Sequence, residues 1–225
     1  MSPRPYQLGK RQAVVNEGRR RILDAARALL RDLASYPDFT VDAVARRADV
    51  ARATVYYQFG SKAGLLEAVC DDLAEGGGMA GLADAFTDPD PRAALHRFID
   101  VFARFWATDP PVMRRLRALA ALDPDVAAVI SARDQRRQDG LAVLAGRVLD
   151  GQDVPGDVLR VLLALTSFET FDAVAGPDRD PAAAVPLVTG LADTMLASPW
   201  PVRSSADDPG RTAPGRPAAS RPARR

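Results

Sequence analysis

The sequence contains one cysteine, Cys70, and one histidine, His96. These two residues cannot form an internal disulfide or supply a zinc cluster built from cysteine and histidine, and we expect no cofactor. Long apolar runs are also missing, because no unbroken apolar run approaches the length needed to cross a bilayer. No secretory signal is evident near the start, so the expected compartment is the cytoplasm. A disulfide-stapled miniprotein and a membrane-spanning chain are both excluded.

The 225 residues, 47% hydrophobic and 26% charged, are typical of a globular protein with a sizeable core. The net charge of +1 conceals an uneven distribution along the chain. Residues 1–62 hold 12 Lys and Arg against 6 Asp and Glu, whereas residues 63–200 hold 12 against 21. This asymmetry predicts that the basic N-terminal part meets a polyanion while the acidic part does something else.

Apolar residues recur at spacings of three and four, and no stretch alternates long enough to indicate a strand, so we predict an all-α fold. The first helix is predicted over 17–34, with Ile22, Ala26 and Leu30 on one face. Later helices are predicted to begin at the prolines that suit a first turn. The predicted segments, in order, are a short helix after Thr40, another around Val55, one from Ser61 to the glycines 76–78, helices beginning at Pro91, Pro110 and Pro124, the last with a weak point at Gly140, and two very apolar helices over 156–175 and 181–197.

Both ends of the chain differ from this helical middle. Residues 1–16 are predicted to form a flexible basic arm. Residues 201–225 are rich in proline and arginine, and they lack the apolar surface that would offset the entropy cost of ordering. We therefore predict a disordered tail there.

The most informative stretch is residues 40–62. Two short helices joined by a tight turn, the second rich in arginine, threonine and tyrosine, predict a helix-turn-helix over 40–59. Its elements are Thr40, the turn Asp49-Val50-Ala51, the run Thr54-Val55-Tyr56-Tyr57-Gln58-Phe59 and the pair Ser61-Lys62. With this pattern, segment 17–77 resembles the DNA-binding domain of TetR-family transcriptional regulators.

The resemblance and the chemistry of the side chains indicate the same candidate DNA contacts. A hydroxyl just before a helix can cap the helix N-terminus, where a phosphate can also bind. Hydroxyls and tyrosine rings can contact phosphates, sugars and base edges. Arginine can bind guanine through two hydrogen bonds. The candidates are Thr40, Arg52, Ala53, Thr54, Tyr56, Tyr57 and Lys62. The alternative for the two tyrosines is that they cover the small core.

Two positions depart from the family pattern. Asp49 stands where the family generally has a glycine, which adopts positive φ freely. Ala51 stands where a serine or threonine normally caps the recognition helix, a loss of about 1 kcal/mol.

The resemblance further implies that residues 78–200 form a dimerisation and effector-binding domain. The candidate cavity lining is mostly aromatic: Phe98, Phe102, Phe105, Trp106, Met113, Leu116 and Phe168. The alternative is that these residues are plain core. The candidate dimer contacts lie on the two very apolar helices: Leu162, Leu165, Leu187, Leu191 and Met195.

The predicted function is that of a homodimeric repressor, released from a palindromic DNA operator by a small apolar or aromatic effector, with no membrane partner. One alternative is a ligand-independent regulator or an activator that acts through a protein partner. Another is a helical enzyme, which the lack of catalytic side chains disfavours. Its best candidate is the carboxylate pair Glu169 and Asp172.

Overall fold

A computed structural model describes residues 5–32, 39–176 and 179–198, with side chains from residue 15 onward. All regular structure in these ranges is helical, either α or 3-10, so the all-α prediction is confirmed. The predicted disordered tail, 201–225, lies outside the described residues.

The first four helices form a unit that we call the head. They are α1 (Pro5–Asp32), α2 (Val41–Arg47), α3 (Arg52–Phe59) and α4 (Lys62–Gly76). The apolar stripe of α1 packs against α2 and α4, with Ile22, Ala26 and Leu30 fully buried. Val55 fixes the short α3 to this core. Burying such side chains contributes about 1.5–3 kcal/mol each, which is what holds two helices of eight residues or fewer in place.

The first helix is longer than predicted. It begins at Pro5 rather than at residue 17, so residues 5–16 of the predicted flexible arm are helical. The prediction relied on the apolar periodicity, which starts at Ile22, whereas the preceding segment is helical through residues of good helix propensity and a proline in the first turn. The predicted end of this helix, residue 34, lies outside the described residues.

The remaining helices form a unit that we call the body. They are α5 (Leu82–Thr87), α6 (Pro91–Ala107), α7 (Pro110–Ala120), α8 (Pro124–Val148), α9 (Gly156–Leu165), α10 (Phe168–Ala175) and α11 (Val185–Ala197). The predicted starts of α6, α7 and α8 at prolines are confirmed, and Asp90 and Asp123 cap α6 and α8. The central helix is α6, which packs against α5, α8, α10 and α11.

The single helix predicted over 156–175 is two helices, α9 and α10. Ser167 breaks it by capping α10, with its Oγ accepting a hydrogen bond from the Thr170 backbone N–H at 3.2 Å. The Thr166 carbonyl accepts hydrogen bonds from Trp106 at 3.1 Å and Arg137 at 2.5 Å. Tertiary partners thus satisfy backbone that an unbroken helix would have bonded internally.

Gly140 does not interrupt α8, which was predicted to weaken there. A Cβ atom at this position would lie 3.0 Å from the Phe98 ring and 3.2 Å from that of Phe86. The glycine therefore allows α6 and α5 to approach α8 closely.

Candidate DNA interface and effector cavity

The turn between α2 and α3 has the local structure of a helix-turn-helix. The Thr40 hydroxyl caps α2 by accepting a hydrogen bond from the Ala43 N–H at 3.1 Å. Asp49 adopts φ 52°, the left-handed conformation that favours glycine. Ala51 occupies the N-cap of α3 and makes no side-chain hydrogen bond. Both departures from the family pattern therefore occur at the positions where the backbone favours the family's residues.

One face of α3 is anchored in the core and the other is exposed. Val55 is buried and Phe59 packs against the core, whereas Arg52 and Ala53 are exposed and Thr54 is half-buried. Tyr57 is 86% exposed, so the alternative that it covers the core is wrong. These exposed side chains give α3 a surface of arginine, tyrosine and alanine.

Arg52 lies along the exposed face of α3. Its Nε is 3.2 Å from Asp42 Oδ1, and its guanidinium donates a hydrogen bond to the Tyr56 hydroxyl at 3.3 Å. The Tyr56 hydrogen bond and then the Asp42 charge raise the pKa of Arg52 above its ordinary value. Arg52 is therefore held at the surface as a cation, beside the N-terminus of the helix.

Lys62, the first residue of α4, connects the head to the body. Its Nζ lies 3.0 Å from Asp123 Oδ2, at the start of α8, and 5.8 Å from the centroid of the buried Phe39 ring. A lysine predicted to bind phosphate is thus paired with a carboxylate of the body. DNA would have to compete with that carboxylate for the ammonium group.

A cavity of about 350 Å³ lies between α4 of the head and α5, α6, α7 and α8 of the body. Six of the seven predicted residues line it: Phe98, Phe102, Phe105, Trp106, Met113 and Leu116. Phe168 does not, because it is buried behind Trp106, with the two ring centroids 5.9 Å apart. The additional apolar lining comes mainly from neighbouring helices that the sequence did not connect to this site: Cys70, Ala74, Met79, Leu82, Phe86 and Ile130.

The sequence reasoning also missed the arginines of the cavity. Arg137 is buried, its guanidinium carbon lies 5.8 Å from the Phe102 centroid and 5.6 Å from that of Trp106, and it donates a hydrogen bond to Asp134 at 3.1 Å. Burial lowers the pKa of Arg137 to about 10. The sequence did contain a signal for these charges, because residues 133, 134 and 137 lie on the face of α8 that carries its apolar stripe.

Two further arginines connect the cavity to neighbouring helices. Arg117 of α7 donates hydrogen bonds to both carboxylate oxygens of Asp134, at 2.6 and 3.1 Å. Arg133 of α8 donates to Asp71 Oδ1 at 2.6 Å and to the Glu67 carbonyl at 3.1 Å, both on α4. The cavity wall therefore contains an ion pair between the body and the last helix of the head.

A second group of charges joins the head to the body. Asp109, buried at the start of α7, accepts hydrogen bonds from Arg31 at 2.5 and 3.2 Å and from Arg27 at 3.3 Å. Arg27 also donates to Asp72 of α4 at 2.8 Å. Helices α1, α4 and α7 are therefore held together by one shared charge network.

Comparison with known proteins identifies the head. Residues 22–69 match the family model described as bacterial regulatory proteins, tetR family. The match includes α2, α3 and the turn between them. The head is therefore a TetR-type DNA-binding domain.

Similarity of fold to solved structures extends over most of the chain. A TetR-like transcriptional regulator from Rhodococcus sp. RHA1 is 25% identical, over 81% of this chain and 97% of that one, with a TM-score of 0.58. The fatty acid degradation regulator FadR from Bacillus halodurans is 17% identical, over 80% and 95%, with a TM-score of 0.59. A transcriptional regulator from Saccharomonospora viridis, solved in complex with choline, is 19% identical, over 80% and 96%, with a TM-score of 0.56. No curated protein sequence matches significantly.

The outer face of the body is partly apolar. Leu187 and Leu191, one turn apart on α11, are 53% and 44% exposed, and Val161 of the adjacent α9 is exposed as well. Of the other predicted dimer contacts, Leu165 is half-buried, whereas Leu162 and Met195 are buried inside the chain's own core. These two side chains therefore do not contribute to the exposed face.

The carboxylates considered for an enzyme are charge partners of α7. Asp172 accepts two hydrogen bonds from Arg114, at 2.6 and 2.8 Å, and Glu169 lies 3.5 Å from Arg117 Nε. Within the ranges that the structure describes, no three His, Cys, Asp or Glu side chains are grouped so that they could hold a metal ion. Nor does any helix in those ranges combine the length and hydrophobicity needed to cross a membrane.

Proposed function

We propose that this TetR-family regulator is a homodimeric repressor, released from a palindromic operator by a small apolar or aromatic ligand. The observation that carries the proposal is the position of α4. Its N-terminal end follows α3 directly, and its later residues Cys70, Asp71 and Ala74 line the cavity. A ligand in the cavity therefore contacts the helix on which the DNA-reading helix is mounted.

In the proposed complex, α3 enters the major groove. Arg52 and Ala53, at its N-terminal end, read base edges, where an arginine can bind guanine and an alanine can pack on a thymine methyl. The surrounding hydroxyl and ammonium groups bind the sugar-phosphate backbone: those of Thr40, Thr54, Tyr56, Tyr57 and Lys62. The exposure of Arg52, Ala53 and Tyr57 supports this assignment. Lys62 exchanges its ion pair with Asp123 for a phosphate.

The dimer is proposed to form through α9 and α11. The exposed Leu187, Leu191 and Val161 provide an apolar face, and Leu165 adds half-buried surface beside it. A two-fold axis through this face presents two heads to the DNA. Two recognition helices in successive major grooves then lie about 34–36 Å apart.

The cavity supports ligand release over the ligand-independent alternative. Its volume of about 350 Å³ and its aromatic lining are typical of small-molecule sites. Repression ends when the ligand prefers a position of α4 in which the two heads no longer match the grooves. Among the structurally similar regulators, the name of one refers to fatty acid degradation and another was solved with choline.

The test is selection of duplexes from random DNA at fixed salt, followed by a screen for compounds that dissociate the selected complex. We expect one palindromic motif whose half-sites are centred about one helical turn apart. Equal affinity for selected and random duplexes would overturn the DNA assignment. If compounds shown to occupy the cavity leave the complex intact, the ligand-release mechanism is wrong.

A further inference from the structure

The cavity combines an apolar wall with buried charge. Arg133 and Arg137, one turn apart on α8, both line it, and the Nε–H of each is buried without a hydrogen-bond partner. Leaving a charged donor unsatisfied in a low-dielectric interior is costly, so native proteins generally supply a partner. The cavity lining is also richer in guanidinium groups than in carboxylates, with Arg117, Arg133, Arg136 and Arg137 against Asp71 and Asp134, so the charge that would balance it is negative.

The carboxylates of the chain compensate Arg137 only in part. Asp134, which is the carboxylate paired with Arg137, also accepts two hydrogen bonds from Arg117. The pKa of Arg137 is lowered to about 10 because burial, together with the nearby Arg117, outweighs the charge of Asp134. An additional negative charge beside Arg137 would stabilise its guanidinium.

The positions of the arginines also disfavour a cationic ligand. The Arg117 and Arg137 guanidinium carbons lie 5.4 and 5.6 Å from the Trp106 ring centroid, and that of Arg137 lies 5.8 Å from the Phe102 centroid. Quaternary ammonium ions are recognised by such aromatic rings, but here the protein's own cations already interact with them. A neutral ligand would leave the excess of guanidinium over carboxylate groups in the lining uncompensated.

We propose that the cavity binds an organic anion: an aromatic or aliphatic body packed against Phe98, Phe102 and Phe105, and a carboxylate or similar group on Arg133 and Arg137. That such an anion is the effector of the repressor rests on the proposed function. That the cavity binds an organic anion rests on the residues of the cavity alone. The anion would also contact Arg133, which is paired with Asp71 of α4.

The first experiment compares probes that share an apolar body and differ in charge. Binding of 2-naphthoate, 2-naphthamide and 2-naphthylmethylammonium to the full chain is measured by calorimetry, without DNA and near neutral pH, and the fluorescence of Trp106 in the cavity wall provides a second signal. Decanoate and decanamide test an aliphatic body in the same way. We expect each carboxylate to bind about ten- to a hundredfold more tightly than its amide, and the ammonium probe to bind more weakly still.

The second experiment assigns the contact to the arginines. Arg133→Gln should lower the affinity for the carboxylate probe about tenfold and leave the affinity for the amide probe unchanged, because only the charged hydrogen bond is lost. Arg115→Gln is the matched control, since it removes the same charge from an exposed position of α7 that does not line the cavity. Arg137→Gln should repeat the effect. Circular dichroism verifies that each variant is folded, and if Arg137→Gln is not, Arg133→Gln decides.

Three results would overturn the inference: an amide or ammonium probe that binds as tightly as the carboxylate, no binding of any probe, or carboxylate binding that Arg133→Gln leaves unchanged. Release of DNA is measured separately on the selected operator. A carboxylate that binds through Arg133 but leaves the operator complex intact would support the ligand class and contradict ligand release.

Discussion

The head and the body use the same side chain in opposite ways. In the head, Arg52 has 60% of its side chain exposed, where its guanidinium can reach a partner outside the protein. In the body, Arg137 has 3% of its side chain exposed and lies among aromatic rings. The first can act on DNA by reaching out from the surface, and the second can act on a ligand because it is already desolvated. The net charge of a region indicates an exposed arginine such as Arg52, but it does not reveal a buried one such as Arg137.

The two regions meet through charges. Lys62 of the head pairs with Asp123 of the body, and Arg27 and Arg31 of the head share Asp109. Substitutions at these positions, and on the outer face of the body, test whether DNA binding by the head depends on how the body positions it. The predictions below run from the largest expected effect to the smallest.

Leu187→Glu tests whether the body organises two heads. A carboxylate in the apolar face of α11 must be desolvated on association, so we expect the dimer dissociation constant to rise by more than about a hundredfold. Sedimentation velocity measures this change. The affinity for the full operator should fall as well, although the head stays folded.

Leu122→Glu is the control for this dimer prediction. Leu122 is 64% exposed and lies outside α9 and α11, so the same change there should leave the association state unaltered. A Leu187→Glu protein that remains fully dimeric would show that the interface lies elsewhere.

Arg52→Ala and Lys62→Ala separate base reading from phosphate binding within the head. Arg52→Ala should weaken binding to the selected operator about ten- to a hundredfold and binding to random DNA much less, because a base contact is lost. Lys62→Ala should weaken both duplexes alike and reduce the salt slope by about one, because one phosphate contact is lost. Titrations on both duplexes at several salt concentrations measure the difference. Equal loss of selectivity in the two variants would refute these roles.

Asp109→Asn tests the joint between the regions. The buried carboxylate accepts hydrogen bonds from Arg27 and Arg31, which are partly exposed, so we expect the free energy of unfolding to fall by about 1–2 kcal/mol. Denaturant unfolding measures this loss. Asp100→Asn removes an exposed ion pair with Arg104 and should cost under about 0.5 kcal/mol. Equal effects would mean that the joint contributes no more than a surface pair.

Asp123→Asn has the smallest expected effect. Asparagine can still cap α8, but Lys62 loses its anionic partner and becomes more available to phosphate. We expect the affinity for any duplex to rise about two- to threefold at fixed salt. Asp125→Asn, an equal charge change on an exposed residue nearby, should have less effect. No difference between the two variants would rule out competition between Asp123 and DNA for Lys62.

The helix-turn-helix of the head could be predicted from the sequence because its information is local. The Thr40 cap and the Asp49 turn each depend on neighbours a few residues away. The proline starts of α6, α7 and α8 are local in the same sense, since proline fixes its own φ. Six of the seven residues predicted to line the cavity do so, because one aromatic stripe on α6 supplies most of them.

Other features depended on residues far apart in the chain. Trp106 and Arg137 satisfy the Thr166 carbonyl at the break between α9 and α10, and Phe168 fills the space behind Trp106 instead of lining the cavity. Leu162 and Leu187 are both leucines of apolar helices, yet the first is buried in the core and the second is exposed. The sequence by itself determined most of the helix starts and the helix-turn-helix, because propensity, capping and turn chemistry act within one or two helical turns. The tertiary structure alone decided which arginines are desolvated and which leucines remain exposed, because burial depends on every helix packed around a residue.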